Sequence, residues 1–351
     1  LSDSVIYMAY YILAKFVNNG SLKADNLTDK FFEYVFFEKG EAEAVAKNCN
    51  VSIKTIYEIR QEFSYFYPVD SRHSGRDLVP NHLTFFVLNH VAIFPENNWP
   101  LQIVVNGSVL MDGKKMSKSM GNIIPLRKAI RDYGADPIRL AIIISAELLQ
   151  DADFNVESVR GIKNKLESLL EECSKLKPGK TELQAEDKWI LSKLQSLIKR
   201  VSHSIEKMRL REGLHDILFS FESEVNWYLK RAQAKGRSDY SGLLYEINSK
   251  RVAMLSPFAP HIAEEMWEKL GNSELVSKSS WPEISADSID DNAIQSEDLL
   301  KSIMDDIANI IKITKITPKK IAIYTADAFK SKAYHAVLTK VMSGQTDMRV
   351  I

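Results

Sequence analysis

The sequence predicts a multidomain chain, α/β in its first part and all-α beyond, and two patterns carry that reading. Up to about residue 145, short β-branched or aromatic runs alternate with glycine or proline turns and helical stretches, as in a parallel sheet. From Asp187 the apolar residues recur at helical spacing through a long series of segments. A chain of 351 residues has room for two or three such domains.

Composition narrows the partners. Basic and acidic residues number 46 each, so any nucleic-acid contact needs local patches, not a global field. Cys49 and Cys173 stand far apart, with no metal-ligand spacing and no disulfide framework, which fits a reducing cytoplasm. The apolar runs are short and no cleavable leader is visible, so neither a membrane span nor a secretory signal is expected. The opening Leu1-Ser2-Asp3-Ser4 and the final Met348-Arg349-Val350-Ile351 are what a piece of a longer protein would show.

In chain order, Val5 to Val17 reads as a mostly buried helix capped by Ser2-Asp3-Ser4. Helices follow over Asp29 to Phe37, Glu41 to Cys49 and Ser52 to Phe63, the last capped by Ser52. A helix-turn-helix DNA reader over Val45 to Ile59 is the minor alternative, because two short helices and a turn are common. Tyr65 to Asp70 reads as an aromatic strand stopped by Pro68, then a glycine turn, then a helix from Val79 to Ile93. That unit places ligands at the carboxyl edge of a parallel sheet. Gly75 would let the backbone approach a ligand, and Asp77 offers a carboxylate suited to paired sugar hydroxyls. His82 would share a helix face with Asn89; on its own it reads better as a satisfied histidine.

Leu101 to Val105 is a short strand, and Asn106-Gly107 signals a two-residue hairpin returning through Val109-Leu110-Met111. Then comes Asp112-Gly113-Lys114-Lys115-Met116-Ser117-Lys118-Ser119-Met120-Gly121-Asn122. Its three lysines have no acid between them, and glycines at both ends let the segment fold over a bound group and reopen. Pro125 starts a helix ending at Gly134, Asp136-Pro137 caps another from Ile138 to Leu149, and a third runs from Val156 to Leu176. Pro178-Gly179-Lys180 marks a linker.

Beyond it, Leu191, Leu194, Leu197, Ile198, Val201, Ile205 and Met208 form one apolar face. Lys193, Arg200, His203, Lys207 and Arg211 lie opposite as a basic stripe, either a solvated face or a phosphate-tracking one. Lys230-Arg231 through Arg237 ends the next helix as a second basic cluster. Two more helices, Tyr245 to Leu255 and one opened by Pro260, complete an up-and-down bundle of about four helices, with Met266 and Trp267 as core. An acidic linker at 283–298 leads to a helix over Leu299 to Thr314, a strand from Lys319 to Thr325 and a helix from Ala328 to Met342.

The run Lys115-Met116-Ser117-Lys118-Ser119 is the KMSKS nucleotide-binding signature of class I aminoacyl-tRNA synthetases. Three other segments add to it: Leu1-Ser2-Asp3-Ser4-Val5-Ile6-Tyr7-Met8-Ala9-Tyr10, Tyr67-Pro68-Val69-Asp70 through Asn81-His82-Leu83, and Leu255-Ser256-Pro257-Phe258-Ala259-Pro260-His261. Over essentially its whole length the chain resembles the carboxyl-terminal portion of a class Ia synthetase of the archaeal or eukaryotic leucyl type.

The resemblance implies the second half of a Rossmann-type class I catalytic domain over 1–145 and connecting stem-contact helices over 146–184. It further implies an anticodon-binding-type bundle over 185–285, then a linker and the start of a small α/β carboxyl-terminal domain over 286–351. It implies that Gly75 and Asp77 hold the adenosine ribose, and that Ser4, Tyr7 and His82 belong to the leucine pocket. Lys115 and Lys118, with Met116, Ser117 and Ser119, would meet the ATP phosphates, Lys118 foremost. The basic residues Lys193, Arg200, Lys207, Arg211, Lys230 and Arg231 would face tRNA(Leu). The implied reaction is formation of leucyl-adenylate from ATP with Mg2+ and transfer of leucine to the tRNA 3′ end, with no resident metal in this chain.

The sequence departs from the family in one respect. The His-Ile-Gly-His signature that supplies the other half of the ATP site occurs nowhere in it, and the editing insertion is absent too. Selection among small aliphatic amino acids by a pocket alone is worth only about 1–3 kcal/mol per methylene. The isolated chain is therefore expected to be inactive, a fragment or one subunit of a split enzyme that needs the missing amino-terminal half. Isoleucyl, valyl and methionyl enzymes, and a tRNA-binding paralogue without catalysis, are the alternatives.

Overall fold

The computed structural model describes residues 3–117, 119–180, 182–285, 289–324 and 326–344. They divide into two compact units, one reaching Ala293 and one starting at Ile294.

The first unit opens with four helices, α1 (Asp3–Asn18), α2 (Asp29–Phe37), α3 (Ala42–Cys49) and α4 (Ile53–Phe66). Thr28 and Ser52 cap α2 and α4 through their hydroxyls, which accept from Phe31 N and Thr55 N. Leu13, Phe16, Phe31, Val35, Val45 and Ile56 meet in one buried core. The run Tyr65 to Asp70 is not a strand. The helix continues through Phe66 because Phe63 and Tyr67, four residues apart on one face, stack at 4.7 Å and close over Phe94. Packing overrides the strand preference of the aromatic residues.

The strand begins later, at β1 (Arg72–Gly75). Turns over Arg76–Leu78 and Val79–Leu83 lead into α5 (Thr84–Ile93), and β2 (Ile103–Asn106) returns parallel to β1, pairing Arg72 with Ile103 through Gly75 with Asn106. The result is a β–α–β unit whose first strand lies at 72–75 and not at 65–70 as expected. The Asn106-Gly107 hairpin does not form. Gly107 donates its N–H to Leu148 O at 2.7 Å, and a Cβ there would collide with the backbone carbonyl of Gln150. That glycine serves a close backbone approach. The hairpin lies six residues on, where Asp112 (φ 48°) and Gly113 (φ 73°) turn β3 (Val109–Met111) into β4 (Lys114–Lys115).

α6 (Leu126–Tyr133) and α7 (Ala135–Ser145) follow, and β5 (Ala152–Phe154), which the sequence reading omits, joins β3 in parallel. The three strands lie in the order β4-β3-β5. α7 starts at Ala135, so Asp136 sits inside its first turn and does not cap it. The Asp136 carboxylate instead accepts from Ile262 N at 2.7 Å, at the head of a helix 126 residues away.

α8 (Val156–Lys175), capped by Asn155, leads into α9 (Ala185–Glu206), α10 (Leu210–His215), α11 (Phe221–Ala234), α12 (Ser241–Leu255) and α13 (Pro260–Lys269). Trp189, Leu194, Leu197, Val201, Tyr228 and Met266 fill the core of this bundle, while Trp267 is only half-buried.

The second unit contains most of α14 (Asp291–Thr314), which starts inside the stretch expected as linker, and α15 (Ala328–Met342). Residues 319–324 form no strand, and Thr325 lies outside the described residues. A ladder needs a neighbouring strand, and none is present among the described residues from Ile294 onward.

Candidate active site

The parallel strands β1 and β2 end at Gly75 and Asn106, the edge at which open α/β sheets take their ligands. The Asp77 carboxylate folds back over Gly75, where a Cβ would sit 2.5 Å from its oxygen and would turn that exposed side chain away. Between them, Arg76 donates from Nη2 to both oxygens of Asp151 at 2.8 and 2.9 Å and from Nη1 to Leu149 O. Asp151 also accepts from Ser108 N at 2.8 Å. One ion pair thus joins the end of β1 to the entries of β3 and β5. Nothing in the spacing of Arg76 and Asp151 announces it, since 75 residues separate them.

Tyr7 and His82 meet through Arg72. The guanidinium lies 5.7 Å from the centroid of the Tyr7 ring, and Nη2 donates to His82 Nε2 at 3.3 Å. An arginine can only donate, so that bond needs Nε2 unprotonated and the ring proton on Nδ1. The Nε of Arg72 is buried without a hydrogen-bond partner. Tyr7 also borders a cavity of about 530 Å³, lined by Ile6, Tyr10, Leu13, Phe32 and Phe36 among others; His82 does not line it. Ser4 belongs to the backbone of α1, but its side chain lies outside what is described.

The lysine loop hangs from the β3–β4 hairpin. Lys114 and Lys115 are exposed on β4, Met116 and Ser117 are half-buried, and Ser119 is exposed. Lys118 lies outside the described residues. The loop is closed by Asn122, whose Oδ1 accepts from Ser117 N at 2.9 Å and whose Nδ2 donates to Lys115 O at 3.1 Å. Ser117 Oγ accepts from Met120 N at 3.2 Å and sits 3.2 Å from Ser119 Oγ. Asn122 was visible in sequence only as the end of the run; its bracketing of the loop was not.

The basic residues of the bundle do not make one stripe. α9 ends at Glu206, Met208 turns the chain at φ 56°, and Arg211 lies on α10, donating to Ile144 O at 2.8 Å. Arg200 pairs with Asp216 at 2.9 Å, an acid from the next segment that a single-helix projection misses. Lys193 lies over the ring of Trp189, and Lys207 is exposed at the end of α9. In the second cluster Lys230 is exposed and Arg231 half-buried on α11. Lys235 and Arg237 are spent internally on Glu186 and Asp187.

The segment Leu255 to Glu265 joins the bundle to the α/β part. Arg139 donates to Phe258 O at 3.0 Å and Pro257 O at 3.3 Å, beside the Asp136 bond to Ile262. Burial works against the charge of Glu264, but the N–H groups of Ser277 and Val276 outweigh it and hold the carboxyl below its usual range.

Comparison with known proteins bears on both parts. Residues 48–155 match the class I tRNA synthetases (I, L, M and V), and residues 187–323 match the anticodon-binding domain of tRNA ligases. The chain is 41% identical over 339 residues to a leucine–tRNA ligase of Methanosarcina barkeri and 38% identical over 346 residues to leucine–tRNA ligase 2 of Metallosphaera sedula. A leucine–tRNA ligase of Methanocaldococcus jannaschii is 41% identical over 335 residues. These matches cover 95, 99 and 94% of this chain but 34, 36 and 35% of the relatives, so the chain spans about a third of their length. In fold it is similar to the Agrobacterium radiobacter K84 agnB2 LeuRS, solved as a ternary complex with tRNA and LeuAMS. The TM-score is 0.53 at 22% identity, over 64% of this chain and 30% of that one.

Proposed function

The chain is a homologue of the leucine–tRNA ligases over about a third of their length, and from that premise we propose that it is part of an enzyme joining leucine to tRNA(Leu). The observation that carries the reading is the juxtaposition at Asp151 of the β1 edge, with Gly75 and Asp77, and the strand that bears the lysine loop.

In this reading ATP, with Mg2+ as part of the substrate complex, lies along that edge. Asp77, whose carboxylate lies over Gly75, accepts from the ribose hydroxyls. The leucine carboxylate attacks the α-phosphorus and pyrophosphate leaves. Negative charge grows along the departing phosphates, and the ammonium groups of Lys115 and Lys118 stabilise it as the loop closes. The loop's fastenings are side-chain hydrogen bonds at the surface, not buried apolar contacts, which makes opening inexpensive. Tyr7, Arg72 and His82 border the leucine, and Ser4 is assigned there from its position in sequence.

The bundle seats tRNA(Leu), with Lys193, Lys207, Lys230 and Arg231 as the side chains toward phosphate. Arg200 and Arg211 belong to the same set, with Asp216 and Ile144 O as their partners within the fold. The domain division follows the same reading: catalytic half to 145, connecting helices to 184, bundle to 285, then the start of a further domain.

The outer face of α5 supports a partner. Phe85, Leu88 and Val91 recur on it at three-residue spacing and are 44, 57 and 44% exposed, beside a parallel pair that has two strands among the described residues. The remaining two thirds of the length seen in the relatives completes this sheet, in the same chain or as a separate subunit. The setting is the cytoplasm; no described helix is long and apolar enough to cross a membrane.

The test is amino-acid-dependent ATP–pyrophosphate exchange by the enzyme assembled with that remaining part. Leucine should drive it, and isoleucine, valine and methionine should not. Exchange with none of the four would leave only a tRNA-binding module, and exchange led by another amino acid would move the substrate.

A further inference from the structure

We propose that Asn155 is a positioning residue for the lysine loop, fastening the hairpin that carries it to the head of α8. The proposal rests on reading that loop as the one that closes over the nucleotide.

The strand register sets up the contact. Val109 pairs with Ala152, Leu110 with Asp153 and Met111 with Phe154, so the next step along both strands brings Asp112 opposite Asn155. Asn155 uses both ends of its carboxamide. Its Oδ1 accepts from Glu157 N at 3.0 Å and Ser158 N at 3.1 Å, capping α8, while its Nδ2 donates to Asp112 Oδ1 at 3.1 Å. Asp153 holds the other residue of the turn, accepting from Gly113 N at 2.9 Å. Both residues of the Asp112-Gly113 turn are thus gripped by side chains from the segment that leads into α8.

This grip does something the loop cannot do for itself. The bonds between Ser117, Asn122 and Lys115 are internal, so they set the loop's shape but not its place. Its place comes from the hairpin, and the hairpin's inclination comes from its turn. α8 is a firm base for that turn. It buries Val159, Ile162, Leu166, Leu169 and Cys173 and packs against α7 and α13.

The residue type also fits. Aspartate and serine cap helices as well as asparagine does, but ionised aspartate has no proton to donate, and serine is too short to span both partners. A side chain that only capped α8 would not need an amide; one that also holds Asp112 does.

That distinction supplies the experiment. Asn155→Asp keeps the acceptor that caps α8 and replaces the bond to Asp112 with two facing carboxylates. Asp112→Asn in the same chain restores a donor–acceptor pair with the roles exchanged, at a position (φ 48°) that asparagine tolerates. In the assembled enzyme, Asn155→Asp should lower kcat for leucine-dependent pyrophosphate exchange about tenfold, a loss of about 1.4 kcal/mol, with KM for leucine unchanged. The double variant should recover most of it. Amide hydrogen exchange should show faster exchange at Gly113 in the single variant, wild-type exchange there in the double, and unchanged protection along α8 in both.

An unaltered kcat with unaltered Gly113 exchange overturns the proposal, as does a double variant no better than the single one. Frayed protection at Glu157 and Ser158 that persists in the double variant, with no recovery, assigns the loss to capping alone and also overturns it. If the wild-type enzyme shows no leucine-dependent exchange, the nucleotide reading fails, and exchange at Gly113 across the three chains still decides whether Asn155 holds the turn.

Discussion

The α/β part and the helical bundle handle their polar residues in opposite ways. In the bundle, Glu186 and Asp187 have fully buried carboxylates, and Arg237, itself only 8% exposed, bonds to both. Tyr228 O–H donates to Asp187 at 2.7 Å, and Lys235 closes on Glu186. In the α/β part, Arg76, Asp77 and Lys115 remain at the surface, and the loop is held by a few side-chain bonds to backbone. The bundle commits this buried cluster to its own architecture. At the strand edge Asp77 and Lys115 stay exposed, while Arg76 is paired with Asp151.

Breaking the bundle's side of this contrast should have the largest effect. Arg237→Ala would leave two carboxylates buried without their main counter-charge, a situation that costs about 3–5 kcal/mol. Denaturant unfolding should show a loss of that size, placed by hydrogen exchange in α9 and α11. A loss under about 1 kcal/mol would mean that water reaches the pair and that it behaves as a surface ion pair.

The α/β part should respond less, and locally. Gly107→Ala forces a methyl group against the backbone of Gln150, and overpacking of this kind costs about 1–3 kcal/mol. Faster exchange at the Ala152 amide, which donates to Ser108 O, should accompany it, with the bundle's amides unchanged. Equal loosening of both parts would show that they unfold as one.

Acid should separate the two parts by the smallest but most ordered effect. His90 is buried, donates from Nδ1 to Phe86 O and accepts from the Tyr67 hydroxyl, and burial holds its pKa below the ordinary value. The unfolded chain therefore takes up a proton from about pH 6.5 downward that the folded one refuses, and stability is lost as pH falls through the folded value. Glu186 behaves alike at lower pH. Burial opposes its charge, but Lys235 and Arg237 prevail and its pKa is lowered, so its contribution is present above about pH 4.5 and lost below. On stepwise acidification, amides around Phe86 and Phe94 should open before those of α9. The reverse order would contradict the assignment.

The same contrast governs how much was legible in the sequence. Helices declare themselves locally: Asp29–Phe37 and Ala328–Met342 have the limits their periodicity and flanks suggest, and Ser52 caps as its type predicts. Strand pairing does not. Asn106-Gly107 carries a hairpin signal, yet its fate is set by residues 148–152, about forty positions away, and the working hairpin uses the neighbouring Asp112-Gly113. Asp136 and Arg200 fail for a like reason, since their partners, Ile262 and Asp216, belong to other elements. At the site, Gly75, Asp77 and the lysine run were legible as residue types in a pattern. Arg72, Arg76, Asn122 and Asn155 were not, because what distinguishes them is a bond, and a bond has no sequence signature.

The lysine loop is proposed to serve phosphate chemistry rather than solvation. Its most direct test is Lys118→Ala in leucine-dependent ATP–pyrophosphate exchange. Removing a donor aimed at developing charge typically costs about 3–4 kcal/mol, so the rate should fall about a hundredfold or more with the thermal midpoint unmoved. An unchanged exchange rate would return the loop to a solvated surface segment.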